Sequence, residues 1–271
     1  MSRIIKHYLF IVLILTAVVG RAQPTASNNA NTNNFSIKGA YSMLRQVAND
    51  GTNDSMMNSE QFKIYTDRYM IYVHPAPGDT LAQYGIGQYE IKNGKVMEYV
   101  FHTSGAGARK DTFELNISKI GQGYKQTIHF PAAEGRRWTL IEDYINVGKN
   151  VSTPLDGAWK QTKVTRITPN GKRSTNNNPT QFKVFESGHF IWVRTTTDTA
   201  TRQPVSYYGY GSFQMEGDNK LTEINTSSTF RTDLMGVPVP IRVEFIGKDG
   251  YRQTITAADG SKIVEEYQRL K

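Results

Sequence analysis

The chain has 271 residues, 38% of them hydrophobic and 21% charged, with 23 Gly, 15 Tyr, 12 Phe and no Cys. That length suits one or two globular domains of about 100–200 residues each, and the lack of cysteine excludes a disulfide framework, a thiolate metal site and a cysteine-linked lipid. The formal charge of +8 is dispersed, its densest clusters being no more than pairs such as Arg136-Arg137 and Lys172-Arg173, so no nucleic-acid partner is expected.

Residues 1–22 carry the three parts of a secretory signal. Arg3 and Lys6 form the charged start, residues 8–20 an uncharged apolar run, and Gly20 and Ala22 the small residues before a cleavage point. The run falls short of the roughly 20 apolar residues that span a bilayer, so no stable membrane span is expected after cleavage. Loss of Arg3, Lys6 and Arg21 takes 32 basic residues to 29 against 24 acidic ones, a charge of +5 over 249 residues. Residues 23–35 follow as an Asn-rich flexible linker.

From residue 36 the local signals are those of strands. Gln61-Phe62-Lys63-Ile64-Tyr65, Tyr69-Met70-Ile71-Tyr72-Val73 and Tyr84-Gly85-Ile86-Gly87 are aromatic and β-branched, and turn residues such as Lys92-Asn93-Gly94-Lys95 lie between runs of this kind. No stretch holds a helical apolar period for three turns. At residue 157 the series begins again. Gly157-Ala158-Trp159 answers Gly39-Ala40-Tyr41; Gln181-Phe182-Lys183-Val184-Phe185 answers residues 61–65; His189-Phe190-Ile191-Trp192-Val193 answers 69–73; and Tyr208-Gly209-Tyr210-Gly211 answers 84–87. Glu223 falls on Glu98, Tyr251-Arg252-Gln253-Thr254-Ile255 on 124–128, and Glu265-Glu266-Tyr267 on Glu142-Asp143-Tyr144. An offset near 120 residues is too long for a solenoid unit and marks two copies of one domain. They cover 36–148 and 155–271, joined near 148–154.

In the second copy, strands are expected over 158–167, 180–186, 189–196, 205–215, 221–229, 241–247, 251–256 and 262–268, with 170–179 as a long hairpin loop. Eight antiparallel up-and-down strands in about 115 residues point to an all-β fold of two tandem small closed barrels. A β-sandwich is the alternative that strand count alone leaves open.

Gly157-Ala158-Trp159, Phe182-Lys183-Val184-Phe185 with His189-Phe190-Ile191-Trp192-Val193, and Tyr208-Gly209-Tyr210-Gly211-Ser212-Phe213 leading to Glu223 resemble the lipocalin-like domains of the calycin group found in exported bacterial proteins. The first copy departs from that pattern, with Tyr41 for the Trp and Tyr69-Met70-Ile71-Tyr72 for His-Phe-x-Trp. The resemblance implies a barrel whose first strand opens on a G-x-W, and an exported protein, periplasmic or secreted.

No catalytic signature is present: there is no H-E-x-x-H, no G-x-S-x-G and no phosphate-binding loop, and Tyr84-Gly85-Ile86-Gly87 lacks the third Gly of a dinucleotide fingerprint. Neither a catalytic residue nor a metal or cofactor is expected. The candidate ligand-binding residues are His189, Trp192, Tyr208, Tyr210 and Glu223, answered in the first copy by Tyr69, Tyr72, Tyr84 and Glu98. Alternation puts His189, Ile191 and Val193 on one strand face and Phe190, Trp192 and Arg194 on the other. Both faces are apolar, which suggests that one lines the barrel and the sister domain covers the other. Glu223 shares a face with Leu221 and Asn225 and, if interior, needs a partner such as a Tyr hydroxyl or His189. The expected function is non-enzymatic binding of a small apolar or amphipathic ligand. The alternative is an interaction module with filled barrels that contacts an envelope protein or a glycan, and a third reading makes Glu223 and His189 an acid–base pair.

Overall fold

The computed structural model describes residues 36–75, 82–105, 107–132 and 137–271. The signal segment 1–22 and the linker 23–35 lie outside them. Two nine-stranded antiparallel sheets account for nearly all of the described chain, and each closes on itself. In the first, β1 (Gly39–Asn49), β3 (Phe62–Tyr65), β4 (Tyr69–His74), β5 (Gln83–Lys92), β6 (Lys95–Thr103), β7 (Gly107–Ile120), β8 (Gly123–His129) and β9 (Thr139–Asn146) run in order, and β9 pairs back onto β1. The short β2 (Asp54–Met57) pairs with the far end of β1. In the second, β10 (Gly157–Ile167), β12 (Thr180–Glu186), β13 (His189–Thr197), β14 (Pro204–Glu216), β15 (Lys220–Ser228), β16 (Pro238–Ile246), β17 (Gly250–Thr256) and β18 (Lys262–Arg269) form the same eight-stranded barrel, closed by β18 on β10. The sandwich alternative is thereby excluded. Residues 170–179 are not an open loop throughout: Arg173–Asn176 form β11, which pairs with the end of β10 as β2 does with β1. The one helical feature among the described residues is a 3-10 turn at Thr232–Leu234, and no helix there is long and apolar enough to cross a membrane.

Bulges recur at matching places. Leu44 and Thr162 are the extra residues in β1 and β10, and the β5–β6 and β14–β15 ladders each shift register at a glycine, Gly87 and Gly211. A Cβ at Gly211 would collide with the Ile224 carbonyl, and one at Gly209 with the Trp192 indole, so the two glycines let the strand bend and let a ring lie flat across it.

The repeated first-strand aromatic closes one end of each barrel. Trp159 is fully buried beside Leu155, Phe185 and Tyr251; its Nε1 donates to Leu155 O at 2.7 Å, and the Arg269 guanidinium lies 4.0 Å from its ring centre. Arg269 in turn donates to the carbonyls of Asp156 and Pro154 at 2.7 and 3.0 Å. In the first barrel Ile37, Tyr41, Tyr65 and Tyr124 fill the corresponding space.

The outward face of β3, β4 and β5 and that of β12, β13 and β14 form a second apolar core between the barrels. Phe62, Ile64, Ile71, Val73 and Ile86 meet Phe182, Val184, Ile191, Val193 and Tyr208, all buried. Phe62 stacks on Tyr210 at 4.6 Å between centroids, and Phe182 meets Phe101 at 5.8 Å and His102 at 5.2 Å. At roughly 1.5–3 kcal/mol for each buried Val, Ile or Phe, this seam rivals a barrel interior as a source of stability. Polar contacts frame it: Lys38 to Glu186 (3.7 Å) and Tyr69 Oη to Lys271 O (2.6 Å) at the closed ends, Tyr84 Oη to Thr195 Oγ1 (2.5 Å) at the other. The barrels therefore stand side by side with their mouths on the same side.

Candidate functional site

The structure divides the sequence-derived candidates into two places. Trp192 and Glu223 point into the second barrel, and Tyr72 and Glu98 into the first. His189, Tyr208, Tyr210, Tyr69 and Tyr84 face outward into the seam, where His189 lies 5.8 Å from Phe62 and its Nδ1 engages Ser187 O. The five residues proposed for the second copy thus share no single pocket.

Nor is the partner of Glu223 a Tyr hydroxyl or His189. It is Lys183, whose Nζ lies 2.6 Å from Glu223 Oε1 with both side chains buried, and 3.5 Å from Gln253 Oε1. Gln253 donates to Glu265, Tyr267 Oη donates to the same carboxylate at 3.0 Å, and Gln161 and Gln181 donate to Tyr267 Oη at 3.2 and 2.6 Å. The first barrel repeats this chain from the repeated residues. Lys63 pairs with Glu98 at 2.6 Å and reaches Gln126 Oε1 at 3.5 Å; Gln126 and Gln46 each donate to Glu142 at 2.6 Å, Tyr144 donates to it at 2.8 Å, and Gln61 donates to Tyr144. Desolvation raises the carboxyls of Glu142 and Glu223 above the ordinary range, and the lysines oppose it. Each lysine sits in the duplicated Gln-Phe-Lys, between two residues that face the seam. That duplication of a lone charge in an apolar strand was the signal that could have placed it.

One difference separates the two layers. Tyr65 donates to Glu98 at 2.5 Å, whereas its counterpart in the second barrel is Phe185. The hydroxyls of Tyr251 and of its first-barrel counterpart Tyr124 are both buried without a hydrogen-bond partner among the described residues.

Above the charged layer, at the mouth of the second barrel, Arg194 continues the inward face of Phe190 and Trp192. Its guanidinium lies 4.6 Å from the Phe230 ring centre and 5.1 Å from that of Tyr207, within cation–π range. Phe230 also meets Tyr207 at 5.6 Å and Trp192 at 6.5 Å, edge to face. It belongs to the segment 229–237 that joins β15 to β16, where Phe230, Met235 and Val237 are 41%, 44% and 44% exposed. In the first barrel only three residues join β6 to β7, and His74 occupies the position of Arg194. Neither Arg194 nor Phe230 stood among the sequence-derived candidates. Elsewhere, a cleft of about 310 Å³ lined by Lys92, Asn93, Lys95, Met97, Tyr99 and Glu114 lies on the outside of the first barrel, over the β5–β6 hairpin.

No protein-family model and no curated protein matches the chain. Among solved structures it is similar to a DUF3598-family protein of unknown function from Nostoc punctiforme PCC 73102, at 9% identity over 86% of this chain and 96% of that one, with a TM-score of 0.25. A likeness at that score carries no argument. The two closed barrels themselves are consistent with tandem calycin-like domains.

The imidazoles make a testable contribution to the pH dependence of folding. Burial lowers His74 from about 6.5 to about 4, and lowers His102 and His189 in the same direction. A folded-state value below the unfolded one means that the unfolded chain binds more protons below pH 6.5, so stability falls as pH drops from 6.5 towards 4. The raised carboxyls of Glu142 and Glu223 act in the opposite sense, which makes a paired comparison necessary. His74→Gln removes that imidazole's contribution, so the variant is expected to gain on wild type in thermal melts by roughly 1–2 kcal/mol between pH 7.5 and 5. Parallel pH profiles for the two proteins would refute the assignment to His74.

Proposed function

We propose that the chain is an exported, non-catalytic binding protein of two lipocalin-like barrels that takes a small amphipathic molecule at the mouth of the second. The observation that carries this reading is the aromatic mouth itself. Trp192 and Tyr207 are only half-buried there, and the partly exposed Phe230 covers them from a segment the first barrel lacks, whereas the opposite end is sealed by Trp159 and Arg269. Apolar walls with a few polar groups that fix orientation suit such a ligand. The floor and the Lys183–Glu223 layer occupy the lower interior, which limits the ligand to the upper part of the barrel.

Native mass spectrometry of the gently purified full chain is expected to show a retained molecule of a few hundred daltons. Trp192→Ala should lose it, and His129→Ala, on β8 of the first barrel, should keep it. Absence of any adduct, together with no uptake of an added amphiphile, would move the assignment to the second reading, an interaction module with filled barrels that contacts an envelope protein or a glycan. The occupied lower interiors of both barrels favour that alternative.

A further inference from the structure

Among the described residues, Arg194 is a half-buried, inward-facing cation of the second barrel with no ion pair. Lys183 has Glu223 at 2.6 Å. Arg194, by contrast, has no carboxylate within ion-pair distance among the described residues, and its Nε is buried without an acceptor. The charged residues that act on it electrostatically are Arg166, of like sign, and Glu265, whose carboxylate already accepts from Gln253 and Tyr267. A half-buried guanidinium held between two rings and facing no anion is costly unless something completes it. The first barrel offers no equivalent. His74 there engages Glu60 O and is held neutral at pH 7 by burial, and the Arg109 guanidinium is paired with Asp111 at 2.7 Å.

We propose that the mouth of the second barrel selects amphiphiles with an anionic head, a carboxylate or a sulfate, whose charge rests on Arg194 while the tail lies against Trp192, Tyr207 and the segment 229–237. The geometry of a guanidinium fork suits two oxygens of one head group. Exposed Met235 and Val237 give the segment an apolar surface with which to cover a tail when Phe230 gives way. This inference rests on the reading of the second barrel as a binding barrel, and it adds the class of ligand.

The test is calorimetric titration of the full chain with four probes below their micellar concentrations: decanoate, decyl sulfate, the neutral decyl maltoside, and inorganic sulfate. Decanoate and decyl sulfate are expected to bind at least tenfold more tightly than decyl maltoside. Arg194→Gln should abolish that preference while changing the affinity for decyl maltoside less than twofold. Arg194→Lys should restore part of it, which guards against a folding defect. Equal binding of charged and neutral amphiphiles, unaffected by Arg194→Gln, would overturn the anionic selection and leave the amphiphile-binding barrel standing. Inorganic sulfate binding as tightly as decyl sulfate would overturn the part played by the tail. Failure of all four probes would bring down the binding-barrel reading and this inference together.

Discussion

Lys183→Met is expected to lower the melting temperature by about 10 °C. The substitution leaves Glu223 buried with its countercharge gone, a loss of about 3–5 kcal/mol, and a chain of this size shifts by about 2–4 °C per kcal/mol. The ammonium also sits 5.0 and 5.3 Å from the Phe185 and Phe190 ring centres, so part of the loss is cation–π attraction. Most of the deficit should return in the double variant Lys183→Met with Glu223→Leu, because the penalty belongs to the stranded carboxylate rather than to the missing bond. Circular dichroism melts of wild type, both single variants and the double variant make the cycle complete. If the double variant proves as unstable as the sum of the singles, the two side chains are not coupled and the buried pair is refuted.

Ile191→Asp is the second large effect, and it acts between the barrels rather than inside one. Ile191 is fully buried in the seam, among Ile64, Ile71 and Val184. A carboxylate there meets apolar side chains from both barrels and no cation in the cluster, so the seam must open or the group must take up a proton. The expected result is a loss of about 4 kcal/mol or more, a melt that separates into two transitions, and a larger radius of gyration by small-angle scattering. Ile246→Asp, at a position 47% exposed, serves as the control and should change none of these. A single unshifted transition at the wild-type radius would show that the seam does not hold the barrels together.

Much of the architecture was legible because the chain spells it out twice. The strand expected over 180–186 is β12 to the residue, and the one over 205–215 becomes Pro204–Glu216. Period-2 alternation and Gly/Asn/Asp turns are local signals, and local signals survive in a sequence. β11 escaped notice because Arg173–Asn176 are all exposed and polar, with no alternation to betray a strand that pairs only with the end of β10. The site was harder. His189 and Trp192 were correctly placed on opposite faces of β13, yet which face is interior does not follow from composition, since the seam makes the outer face as apolar as the inner one. Lys183 went unremarked because a lone lysine in a strand normally points to water. Its inward course depends on Glu223, three strands onward in the chain and across the barrel. The encounter of Arg194 with Phe230 depends likewise on a connecting segment that has no counterpart in the first copy.

The continuity of the two barrels through residues 147–156 has an evolutionary meaning. In a symmetric pair of separate subunits every replacement arrives twice, and a residue that suits one subunit is forced on the other. Here the copies lie on one polypeptide, so Phe185 stands opposite Tyr65, Arg194 opposite His74, and Tyr210 opposite Ile86, each change made once. Both halves hold the buried Lys–Glu layer that secures the scaffold, while the second alone carries a phenylalanine in place of Tyr65 and the guanidinium of Arg194. Two halves on one chain are free to differ in a way that two identical subunits are not.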